Sequence, residues 1–225
     1  MLFLLPHFCY SIPMVITYYG KQYCKLTLGD LTIALNPPAK DSKAFGGKAP
    51  RFGADIALIS AHHPDYDSAE TVTLGDKVPF VIDGPGSYEV RDCFFTGAKS
   101  SVMIDGKTYI NTVFGFELDN IKIAVLGVLS DESTLSAEAK EIASGADMLF
   151  VPIGGGATFD AGHAYKVATS FGPNVIIPLE TDEASLTRFL KEGGREKTEI
   201  LDKATLKRRD LDGKEGYIMP LAPQA

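Results

Sequence analysis

From Met14 onward, short apolar runs are separated by polar breaks. The runs MVITYY (14–19), QYCKLTL (22–28) and LTIAL (31–35) are rich in β-branched and aromatic residues, and Gly29-Asp30 between the last two has hairpin-turn chemistry. They predict a β-meander. Residues 36–53, with Pro37, Pro38, Gly46, Gly47 and four Lys/Arg, show no periodicity and read as a polar loop. ADIALIS (54–60) is too short an apolar run for a helix and fits a buried strand. Further strands are expected at PFVI (79–82), YEV (88–90), CFFTG (93–97), TVFGFEL (112–118) and IKIAVLG (121–127). Asp119-Asn120 closes the last pair into a hairpin, and Gly84-Pro85-Gly86 predicts a tight turn ahead of YEV.

Beyond residue 130 the texture changes. Thr134 or Ser136 can cap a helix running to about Ala143, Asp160 one to about Ser170, and EASLTRFLKEG (183–193) reads as a third, stopped by Gly193-Gly194. Between them, DMLFVPI (147–153) and NVIIPL (174–179) are apolar on both faces, as strands covered on both sides are. A meander half followed by an alternating β/α half predicts two packed sheets covered by helices, with residues after Thr181 adding a helix and a terminal hairpin. Lys207-Arg208-Arg209 reads as a solvated strand edge. Residues 14–225 are expected to form one domain. Residues 1–13, broken by Pro6 and Pro13, are expected to be an extension outside the core.

With 225 residues, 45% hydrophobic and 23% charged, the chain has material for one sizeable core, which excludes a disordered protein. Its formal charge of -7 does not suit a phosphate backbone, so nucleic acid is not an expected partner. Cys9, Cys24 and Cys93 are an odd number without a Cys-x-x-Cys pair and read as reduced thiols of a cytoplasmic protein. The apolar N-terminus has no basic residue before Lys21 and is interrupted by proline, which argues against a membrane-spanning helix or a cleaved leader.

Candidate chemistry concentrates in SAHHPDYDS (60–68), directly after a buried strand. This loop resembles the His-x-His-x-Asp-His loop of the metallo-β-lactamase fold family. ITYYGKQYCKLTLGDLTIALNP is similar to the opening hairpins of a zinc-dependent-hydrolase-like branch of that superfamily, GPGSYEV to its Pro-Gly-x-Tyr-Glu turn, and LFVPIGGGATFDA to its Val-Pro-x-Gly-Gly segment. The resemblance runs from about Met14 to Thr181. It implies an α/β fold, a four-layer αββα sandwich of two mixed sheets flanked by helices, which in the intact family carries a dinuclear zinc centre. Carried onto this chain, the loop's ligand positions become Ala61, His63, Asp65 and Tyr66, the bridging Asp falls at Val128, and the last His falls at Glu180. No histidine lies between His63 and His163, and the chain has four in all, whereas the carried-over dinuclear site wants about five imidazoles.

His63, Asp65, Tyr66, Asp131 and Glu180 are therefore the candidate vestigial site. Tyr66 is expected to pack with its hydroxyl satisfied, and His62 to be solvated. His63 and Asp65 fit a residual site contact or a structural loop hydrogen bond equally well. Asp131, Glu180 and Asp182 with Asp65 would suit Mg²⁺ or Mn²⁺ if their loops converge, and otherwise read as solvated carboxylates. Gly154, Gly155 and Gly156, between a strand and a helix, fit an anion-cradling loop or a tight connection. His163, in the first turn of the following helix, fits a surface or capping role, or reaches the pocket.

The leading expectation is a pseudoenzyme that keeps the fold, needs no cofactor and binds a small molecule or a protein partner. The alternatives are a hydrolase with zinc or another divalent metal in a rebuilt single-metal site at His63 and Asp65, and a structural or oligomer-forming module with a filled pocket.

Overall fold

The structure is a computed structural model that describes residues 12–225. Of the expected extension, residues 1–11, with His7 and Cys9, lie outside the described residues. The first strands are β1 (Met14–Gly20), β2 (Tyr23–Leu28), β3 (Leu31–Leu35), β4 (Ile56–Leu58) and β5 (Phe80–Ile82). There follow β6 (Gly86–Val90), β7 (Cys93–Ile104), β8 (Lys107–Leu118) and β9 (Ile121–Val125). The β/α half comprises α1 (Ala137–Ser144), β10 (Met148–Pro152), α2 (Ala161–Ser170), β11 (Val175–Leu179) and α3 (Glu183–Glu192), then β12 (Ala204–Leu206) and β13 (Tyr217–Ile218).

Local chemistry accounts for most boundaries. Ser136, Asp160 and Asp182 each accept backbone N–H bonds at the N-terminus of a helix, as their side chains predict. Asp119 and Asn120 both take positive φ, the geometry of a two-residue hairpin turn. Burial in β1 favours alternate residues, whereas every residue of β10 and β11 is buried.

The strands form two mixed sheets, in the orders β12-β1-β2-β3-β4-β5 and β13-β11-β10-β9-β8-β7-β6. Their facing sides share one apolar core that includes Ile16, Leu26, Phe95, Phe114, Phe150 and Ile177. The three helices cover the second sheet, burying Ala139, Ala164, Val167 and Phe189 against Val113, Leu149 and Ile176. On the first sheet the covering layer is thinner: Phe45 and Phe52 of loop 36–53, with Val72 of a short 3₁₀ turn, pack on Tyr23, Ala34 and Ala57. The α/β sandwich of two mixed sheets expected from the resemblance is the fold observed, with the α-helices on the second sheet and a loop and a 3₁₀ turn forming the outer layer of the first. Among the described residues, no helix is long and apolar enough to cross a membrane.

Two expectations for the C-terminus are corrected. No terminal hairpin forms, because β12 pairs antiparallel with β1 in the first sheet and β13 pairs parallel with β11 in the second. The tail thus occupies an open edge on each sheet and buries Leu206, Leu211, Met219 and Leu221 in the shared core. Lys207-Arg208-Arg209 is not a strand edge either. Arg208 and Arg209 belong to a 3₁₀ turn spanning Arg208–Leu211, and Arg208 Nη1 lies 2.8 Å from Asp147 Oδ1.

The 84–86 turn joins β5 to β6, with Gly86 at φ +152°. A Cβ there would stand 3.1 Å from the Tyr88 hydroxyl, which donates to Gly84 O. Gly86→Val is expected to cost roughly 1 to 3 kcal/mol, read as a shift of the urea midpoint at constant slope. A midpoint unchanged from wild type would show that the turn accepts a side chain.

Candidate functional site

The site loops gather at one end of the sandwich, beyond β3, β4, β9 and β11 and beside the β1–β2 turn. That turn is held by Tyr18, whose hydroxyl donates to Lys21 O and accepts from Thr181 N. Glu180 N also donates to Lys21 O at 2.7 Å. Lys21 and Glu180 both adopt left-handed backbone, at φ +50° and +56°, a conformation non-glycine residues keep only when their surroundings impose it. The result places the Glu180 carboxylate, its side chain 7% exposed, where three donors meet it.

Tyr66 Oη and Gln22 Nε2 each donate to Glu180 Oε1 at 2.9 Å, and the Lys21 ammonium lies 3.5 Å from Oε2. The same ammonium sits 5.9 Å from the centre of the Tyr66 ring. Behind Gln22 the polar chain continues inward. Asn36 Nδ2 donates to Gln22 Oε1, and Asn36 Oδ1 accepts from Ser60 N at 2.7 Å. Gln22, Asn36 and Ser60 are all buried, and the relay of amide side chains ending on the Ser60 backbone N–H ties β1–β2, β3 and the start of the 60–68 loop together. Burial, then the neighbouring Glu180 carboxylate, push the Tyr66 phenol far above its ordinary range, which keeps it a neutral donor.

Beside this network, Ala61, Tyr66, Val102, Ile104 and Val128 form a buried apolar cluster, with Tyr109 and Ala157 packed against it. Val102, Ile104 and Tyr109 come from the far half of the β7–β8 hairpin, which extends over the loop. Tyr109 also meets the His63 ring edge-on, centroids 5.8 Å apart. His63 and Asp65 are joined locally: Asp65 N donates to His63 Nδ1 at 3.2 Å, and Asp65 Oδ1 accepts from Ser42 Oγ at 2.6 Å.

Of the predicted site residues, the structure brings Tyr66 and Glu180 into contact, with His63 and Asp65 beside them. Asp131 does not join them: its carboxylate accepts from Ser133 N and caps a 3₁₀ turn. Asp182 likewise caps α3, accepting from Ser185 N at 2.7 Å. The Ser133 side chain, then its backbone N–H, holds the Asp131 carboxyl below its usual range, and the Ser185 N–H, then its side chain, does the same for Asp182. His62 is exposed, its Nδ1 2.7 Å from Asp67. Gly154 makes a close approach, since a Cβ there would stand 2.8 Å from Glu180 O. Gly155 N donates to Phe159 O, and Asp160 already occupies the N-terminus of α2. Gly155 and Gly156 take positive φ, as a tight connection requires.

A zinc ion needs three or four N, S or O donors converging on one point. Ala61 and Val128 offer none, and the Tyr66 phenol holds its proton. No group of three or more His, Cys, Asp or Glu among the described residues could hold a metal ion. The residues present do not fit the metal centre of the intact loop. Sequence reasoning missed Lys21, Gln22, Asn36, Val102, Ile104 and Tyr109. The Asp-Gly at 105–106, a hairpin signal, marked the long hairpin that carries the last three.

A family model described as a β-lactamase superfamily domain matches residues 15–180. Among solved structures, the chain is similar to a Thermotoga maritima protein assigned to the Zn-dependent hydrolases of the metallo-β-lactamase superfamily. Identity is 25%, coverage 93% of this chain and 100% of that one, and the TM-score 0.68. Two more distant structures share the fold. One, assigned as a metal-dependent hydrolase, is from Parabacteroides distasonis, with 17% identity, 81% and 93% coverage and a TM-score of 0.58. The other, a metallo hydrolase from Ignicoccus hospitalis, has 14% identity, 95% and 97% coverage and a TM-score of 0.58. No curated protein matches the chain.

Proposed function

The chain belongs to the β-lactamase superfamily, and from that premise we propose that it is a pseudoenzyme of the superfamily, a binding protein whose inherited metal centre has been replaced by packed side chains. One observation carries this reading. Three of the six positions that match the family's ligands, Ala61, Tyr66 and Val128, form a buried apolar cluster, and a fourth, Glu180, is spent on Tyr66, Gln22 and Lys21. The Lys21 ammonium supplies beside Glu180 the positive charge that a metal ion would otherwise bring. Without a metal to lower the pKa of bound water, no hydroxide nucleophile is available at neutral pH. The partner is an unidentified small molecule or protein. Cys24 and Cys93 are free thiols, which suits a reducing cytoplasm.

Elemental analysis and turnover assays of the purified protein test this. The expected result is no stoichiometric zinc after dialysis against zinc-containing buffer. β-Lactam, lactone and phosphodiester substrates should not turn over, even with added Zn²⁺ or Mn²⁺. His63→Ala should cost roughly 1 to 2 kcal/mol through lost ring and loop contacts, with metal content unchanged. Metal-dependent hydrolysis that disappears in His63→Ala would establish the single-metal hydrolase instead.

A further inference from the structure

A cleft of about 380 Å³ lies between α1 and α2, separate from the filled site. Its apolar walls are Leu135, Val167 and Phe171, the first two buried in the helix-covered core. Around them stand three basic side chains, Lys140, His163 and Lys166, against one carboxylate, Glu132. That carboxylate is engaged, with Oε2 3.0 Å from His163 Nε2, and the His163 ring is fixed against Phe159 at a centroid distance of 5.0 Å. The ammonium groups of Lys140 and Lys166 have no acceptor among the described residues.

In a chain of formal charge -7, this is a local excess of positive charge beside an apolar floor. We propose that the α1–α2 cleft is a binding site for a small amphipathic anion, a monocarboxylate with an apolar body. The hydrocarbon lies on Leu135, Val167 and Phe171, and the carboxylate is met by Lys140 and Lys166. A fully polar anion leaves the apolar floor without a partner, and a cation meets two unpaired ammonium groups. The volume falls in the range of small-molecule sites, roughly 300 to 1,000 Å³.

Decanoate is the probe, titrated into the full chain with calorimetry and amide NMR as readouts. Saturable one-to-one binding is expected, with shifts confined to α1, α2 and the segment between residues 129 and 136. Lys140→Gln/Lys166→Gln, two exposed positions whose replacement leaves the melting temperature near wild type, should weaken binding about tenfold or more. Decylammonium should not bind. Decanoate binding unchanged in the folded double variant, equal affinity for decylammonium, or no saturation by about 5 mM would each overturn the proposal. Because the cleft is separate from the 60–68 loop, none of these outcomes bears on whether the protein hydrolyses anything.

Discussion

Gly127→Val is expected to cost about 4 kcal/mol or more, a large share of a typical stability of about 5 to 15 kcal/mol. Gly127 closes β9 at φ +66°, and a Cβ there would stand 2.7 Å from both Cβ and Oγ of Ser60 and overlap Asn111 Oδ1. Neither neighbour has room to yield. Asn111 is fully buried, its Nδ2 donating to Ser100 Oγ and Leu126 O and its Oδ1 accepting from Val128 N. Displacing it orphans several buried polar groups at once, each worth about 1 to 3 kcal/mol when unsatisfied. Gly155→Val is the internal control: φ is similar at +76°, but nothing lies within 4 Å of the added Cβ. It should lose only the backbone strain, on the order of 1 to 3 kcal/mol. Chemical denaturation of both variants measures the difference, and equal losses would show that conformation rather than crowding governs position 127.

Tyr66→Ala should be the next most damaging change, at roughly 3 to 5 kcal/mol, because it empties a site among Ala61, Val102, Ile104 and Val128 that has little means of collapse. It also withdraws one of the two neutral donors from Glu180. Tyr66→Phe separates the two effects. It keeps the packing and loses a hydrogen bond to a charged group, so a cost of about 1.5 to 3 kcal/mol is expected. If the phenylalanine variant is as stable as wild type by urea denaturation, the hydroxyl adds nothing and the cluster around Tyr66 is held by packing alone.

How much of this was legible in the chain follows the range of each interaction. The strands at 14–35, the Asp119-Asn120 turn and the three helix caps depend on neighbours a few residues away, and their residue types announce them. The β7–β8 hairpin was read only in its inner halves. Lys99, Ser100 and Ser101 break the apolar pattern, although Ser100 is buried and serves Asn111. The terminal hairpin failed for a related reason. Strand propensity in 204–206 and 217–218 does not say which sheet edge each finds, and β12 and β13 found edges on different sheets.

The sequence by itself determined, through the resemblance it carries, that the fold is an α/β sandwich of two sheets, and that two of the carried-over ligand positions, Ala61 and Val128, have no side-chain donor. Only the tertiary structure decided what stands in their place. Glu180 meets Gln22 across 158 residues, Lys21 across 159 and Tyr66 across 114. No pattern within a strand or a turn encodes such contacts. They exist because two sheets pack face to face and bring the β1–β2 turn, the 60–68 loop and the end of β11 to one edge, where a buried carboxylate must find donors or pay its desolvation in full.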